Sequence, residues 1–100
     1  MTFIVEMQVA HAEGLRNRFT YYTSKAYVSQ IERGQDYPKL NQVIFIGILN
    51  FTEFETPHYV TRIQLLNTAT YQQELQDLEF NFVELSKFTN RGEDLATTLG

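Results

Sequence analysis

The chain has 100 residues, 43% of them hydrophobic, no cysteine and a formal net charge of −4. That length suits a single domain, 1–100, able to bury about two thirds of its unfolded surface. Lack of cysteine excludes a disulfide scaffold, a thiolate metal site and a Cys nucleophile, and the acidic balance excludes a general nucleic-acid coat.

No apolar run approaches a membrane span and no basic-then-apolar leader resembles a signal peptide. A soluble cytoplasmic domain with no membrane partner is therefore expected. Charge is spread unevenly: residues 1–40 hold five Lys/Arg against four Asp/Glu, whereas residues 41–100 hold three against eight. A local basic face near the N-terminus fits those counts; a strongly basic protein does not.

The segment MTFIVEMQV (1–9) reads as a strand. Side chains alternate across a strand, so Ile4, Glu6 and Gln8 share one face, and Phe3, Val5, Met7 and Val9 the other. A carboxylate and an amide set among apolar residues cost free energy unless they are partnered or used. Next comes HAEGLRNRFTYYTSKAYVSQIERG (11–34), where Leu15, Phe19, Tyr22, Ala26 and Ser29 recur at helical spacing, widened by Val28 and Ile31. This pattern predicts a helix from about Ala12 to Arg33, capped by Gly34, with Pro38 in the following turn.

VIFIGILNF (43–51) is almost wholly apolar and predicts a buried strand covered on both faces, parallel to the first through a helical crossover. YVTRIQLLN (59–67) alternates and is expected to pair back on it. TATYQQELQD (68–77) reads as a connection with at most one helical turn. LEFNFVEL (78–85) is a further strand, read with Leu78, Phe80, Phe82 and Leu85 opposite Glu79, Asn81 and Glu84; a helix is expected to start near Glu93. The result is an α/β domain whose mixed sheet has one long helix, leaving a sheet face uncovered. The first strand is central in composition although no element precedes it, so either upstream elements are missing or a second copy supplies the cover.

Glu6 and Gln8 are the polar pair of that first strand, and geometry ties them to the helix. Glu6 lies about 10 Å below the end of its strand at roughly 3.3 Å per residue. A helix packing back covers that depth in about seven residues at roughly 1.5 Å each. Arg18 and Tyr22 thus come level with Glu6, with Lys25 one turn further on. Carboxylate, amide, guanidinium, phenol and ammonium together would suit an anionic substrate. A Glu6–Arg18 contact is equally an ordinary structural ion pair, and Tyr21, Tyr22 and Tyr27 read as packing before stacking platforms. His11 and His58 have no metal-ligand spacing, and Glu53, Glu55, Glu74, Asp77, Glu93 and Asp94 read as solvated loops.

In order, IVEMQ (4–8), RFTYYTSKAY (18–27), GQDYPKLNQVIFIGIL (34–49) and LEFNFVELSKF (78–88) resemble the PD-(D/E)XK nuclease family transposases, also called the recombination-promoting nuclease family. The resemblance spans residues 4–88. It implies a restriction-endonuclease-like core, DNA as substrate and Mg²⁺ as cofactor, with no small-molecule cofactor. Glu6 and Gln8 would take the family's Glu-x-Gln catalytic positions. Glu6 and the Met7 carbonyl would be metal ligands, and Arg18, Tyr22 and Lys25 would contact DNA phosphate. The family's Asp lies on an upstream strand, and five residues precede Glu6. The expectation is therefore the C-terminal part of such a domain, N-terminally truncated and with little or no activity. The alternatives are a non-catalytic homodimeric α/β interaction module or a small-molecule-binding α/β dimer.

Overall fold

The structure is a computed structural model and describes residues 1–91. Strand β1 (Thr2–Gln8) leads into helix α1 (Leu15–Glu32), then β2 (Val43–Leu49), β3 (Val60–Gln64) and β4 (Leu78–Glu84), with short 3₁₀ turns at Tyr37–Lys39 and Leu85–Arg91. One sheet contains all four strands in the order β1-β2-β4-β3. β1, β2 and β4 run parallel and β3 is antiparallel to β4. The predicted crossover unit is therefore present. The helix expected near Glu93 lies outside the described residues.

α1 is two or three residues shorter than predicted at its start because Gly14, with φ of 75°, turns the chain there; Arg18 N–H donates to its carbonyl at 3.0 Å. At the other end Gly34 adopts φ of 90° and donates to Ile31 O at 2.9 Å, a left-handed cap that glycine takes without strain. The buried line along α1 is Leu15, Phe19, Thr23 and Gln30. Tyr22, Val28 and Ile31, expected on the apolar stripe, are exposed. Thr23 seals the place where the helix lies against the sheet, its hydroxyl donating to Phe19 O at 2.8 Å. Gln30 brackets Asn41 by donating to its carbonyl at 3.0 Å and accepting from its N–H at 2.6 Å, which fixes the entry to β2.

Register explains the core. Glu6 faces Gly47, which faces Phe82; Ile4 faces Phe45, which faces Phe80. Under α1, Leu15 and Phe19 pack on Phe45, Leu49 and Phe82, with the Phe19 ring 4.8 Å from Phe45 and 5.5 Å from Phe82. Gly47 makes this possible: a Cβ there would lie 2.9 Å from Phe82 Cδ1 and 3.0 Å from Phe45 Cε1.

Four expectations need correction. β3 pairs with β4 and not with β2, because the third parallel strand, β4, occupies the position beside β2. β1 is an edge strand: Phe3, Val5 and Met7 are exposed on the face away from α1, beside half-buried Ile44, Ile46 and Ile48, and no described element covers that face. β2 is accordingly buried on its helix face and half-buried on the other. In β4 the alternation was assigned one residue out at its end: Glu84 shares the helix face with Leu78, Phe80 and Phe82, while Val83 joins Glu79 and Asn81 opposite. The 68–77 segment, by contrast, is the connection the sequence suggests, a turn followed by irregular chain.

Candidate functional site

β1 presents Glu6 and Gln8 on the side facing α1, at the end of the strand that meets the start of the helix. Both are satisfied there. Gln8 Nε2 donates to Glu6 Oε1 at 2.6 Å, and Arg18 Nη2 donates to the same oxygen at 2.9 Å. Arg18 Nε in turn donates to the Tyr22 hydroxyl at 3.2 Å, and its guanidinium carbon lies 5.3 Å from the Tyr22 ring centre. The side chains remain open to solvent, Glu6 at 18% and Arg18 at 46% exposure.

The structure thus brings Glu6, Gln8, Arg18 and Tyr22 together, as helix and strand geometry require. It does not bring Lys25 to them: the ammonium lies 5.9 Å from the Tyr21 ring centre. The Met7 side chain lies on the uncovered face. Thr2 N–H and Gln8 C=O bond toward the β2 segment, so the even-numbered residues of β1 aim their backbone groups at β2. Met7 C=O therefore lies along the free edge of the sheet.

Sequence reasoning missed two further carboxylate centres. Glu84 is fully buried, taking Glu53 N–H at 2.8 Å and Phe54 N–H at 3.2 Å on Oε2, and Lys87 Nζ at 2.7 Å on Oε1. Lys87 also reaches the carbonyls of Phe54, Thr56 and His58, so one ammonium gathers the whole 52–58 loop. The signal was available as an acid continuing the apolar parity of Leu78, Phe80 and Phe82, three residues before a lysine. Glu53, expected in a solvated loop, is nearly buried: Arg16 Nε donates to it at 2.7 Å and His11 Nδ1 lies 3.0 Å from its other oxygen. This ties the loop to the start of α1.

Two more polar contacts brace the sheet. On the uncovered face, Arg62, Asn81 and Gln64 all donate to Glu79 and hold its carboxyl down at about 2, well below the usual 4.5. Tyr27 donates to Asp77 Oδ2 at 2.5 Å, which raises the phenol pKa and pins the 68–77 connection to the helix. An apolar cleft lined by Phe19, Phe54, Ile63 and Phe80 lies toward β3, away from β1, and has Arg16 as its charged wall. It holds no acid or base pair for chemistry.

A family model for PD-(D/E)XK nuclease family transposases matches residues 1–100. The chain belongs to that family. Its mixed four-stranded sheet and helix form a restriction-endonuclease-like core. No curated protein and no solved structure matches the chain. No described helix is long and apolar enough to cross a membrane.

Members of this family generally use a divalent metal. Among the described residues no group of three His, Cys, Asp or Glu is placed to hold one. Glu6 offers a single carboxylate, and its Oε1 already carries an amide donor and a guanidinium cation. Mg²⁺ is usually held by one or two carboxylates together with waters and substrate oxygens, and a guanidinium beside the only acid opposes a second cation. As arranged, the described residues do not fit a divalent ion by themselves, and no chemical step is assigned to one.

Proposed function

We propose that this chain contributes the Glu-x-Gln part of a Mg²⁺-dependent DNA endonuclease centre of the kind used in transposition-like recombination, and works in the cytoplasm. The observation that carries this reading is the convergence of Glu6, Gln8 and Arg18 at an open strand end in a chain of this family. Gln8 is neutral, so its part is to orient water or a phosphate oxygen by hydrogen bonding. Arg18, Tyr22 and Lys25 supply phosphate contacts, Arg18 by exchanging its carboxylate partner for the phosphate. Glu6 and the edge carbonyl of Met7 are the metal-facing groups once a second carboxylate joins them.

Residues 1–100 alone are expected to have little or no cleavage activity, because among the described residues no second acid stands with Glu6 to hold a metal. A plasmid-nicking assay with Mg²⁺ or Mn²⁺ tests this. Cleavage that disappears in Glu6→Ala would overturn the inactivity, while salt-sensitive DNA binding without nicking is the expected result.

A second reading, a non-catalytic homodimer, is favoured by one observation: Phe3, Val5 and Met7 are exposed beside Ile44, Ile46 and Ile48 on the face α1 leaves bare. Light scattering after size-exclusion chromatography tests it. A concentration-dependent dimer with no response to DNA would favour this reading over the first.

A further inference from the structure

On the solvent side of α1, Arg18, Tyr21, Tyr22 and Lys25 follow i, i+3, i+4, i+7 spacing and form one stripe about 10 Å long at 1.5 Å per residue. Their side chains are linked in series. Arg18 lies over Tyr22, the Tyr22 and Tyr21 ring centres are 5.9 Å apart at 55°, and Lys25 lies over Tyr21. The stripe begins at Glu6 through the Arg18 bond. α1 as a whole carries Arg16, Arg18 and Lys25 and has one acid, Glu32, at its last position, in a chain of net charge −4. Arg16 is paired with Glu53 toward β3 and Arg18 with Glu6, so Lys25 is the cation of the stripe that has no carboxylate partner among the described residues.

The two tyrosines differ. Tyr22 is held by Arg18 at both its hydroxyl and its ring. Tyr21 is 58% exposed, and its ring meets Tyr22 and the Lys25 ammonium. An outward aromatic face flanked by cations gives little to a duplex, which buries its base faces and shows phosphates and base edges. It suits an unpaired strand, whose bases stack on aromatic rings while Lys and Arg take the phosphates.

We propose that this stripe guides an unpaired DNA strand toward Glu6, with a base stacked on Tyr21 and Lys25 moving from the ring to the adjacent phosphate. The inference rests on the DNA-binding reading above and deepens it by naming unpaired DNA as the preferred substrate.

The test compares fluorescence anisotropy of labelled oligo(dT) and of a duplex of the same length, at low salt with EDTA so that cleavage plays no part. The wild-type chain should bind the single strand more tightly. Tyr21→Ala should weaken oligo(dT) binding by at least about fivefold, the lower end of what one aromatic–base stack supplies, and change duplex binding by less than about twofold. Tyr21→Phe, which keeps the ring, should bind like wild type. Equal loss on both DNAs, or equal loss in Tyr21→Phe and Tyr21→Ala, overturns the stacking role and leaves DNA binding intact. A wild-type chain that binds neither DNA removes the DNA reading itself.

Discussion

Glu6 on β1 and Glu84 on β4 sit on the same face of the sheet, and each is paired with a cation at under 3 Å. Around Glu84 everything is closed. Its side chain has no exposure, Lys87 has 10%, and backbone donors and acceptors of the 52–58 loop complete both groups. Around Glu6 the same chemistry is left open, on an edge strand, with a half-exposed arginine that leads into an outward stripe of tyrosines. The sealed pair shapes a loop and has no route to a ligand. The open pair can exchange its partner at small cost, as a binding site must.

That contrast is tested first by stability. Lys87→Met would leave the Glu84 carboxylate buried without its cation, and should cost about 3–5 kcal/mol in chemical denaturation. Gly47→Val should cost roughly 1–3 kcal/mol by forcing the Phe45 and Phe82 rings apart, enough to disturb the floor beneath Glu6. Stability should also follow the Glu79 carboxyl. Its pKa is lowered in the folded state from 4.5 to about 2, so its contribution is fully present above 4.5 and is lost as pH falls toward 2. Denaturation midpoints between those pH values should fall, and in Arg62→Ala, which lacks the principal donor, that dependence should be shallower. Glu6→Gln should change stability by less than about 1 kcal/mol, because the open pair is worth little to the fold. A loss there as large as that in Lys87→Met would erase the distinction between the two sites.

Much of this was legible in the sequence. Period-two alternation and a run of branched residues located all four strands, and helical rise against strand rise placed Arg18 and Tyr22 beside Glu6. What the pattern hid has physical causes. Thr23 and Gln30 are buried through hydrogen bonds of their own, so a search for apolar spacing favoured Tyr22, Val28 and Ile31. Grouping Leu85 with Leu78, Phe80 and Phe82 puts Glu84 on the opposite face, although the parity of Glu84 matches Phe80 and Phe82. The pairing of β3 depends on β4 inserting beside β2, a long-range choice that local periodicity does not encode. Lys25 fell one turn beyond the reach of Glu6 and found Tyr21 instead.

The central claim is that DNA meets this chain at the Glu6 end of β1 and α1. Two-dimensional ¹H–¹⁵N NMR during titration with oligo(dT) in EDTA reads it most directly. The account predicts that the Gln8 side-chain amide, the Arg18 Nε–H and the Tyr21 backbone amide shift together, while the Glu53 and Phe54 amides bound to Glu84 stay in place. Shifts confined to the 52–58 loop or to the bare face of β1 and β2, with Gln8 and Arg18 unmoved, would contradict it.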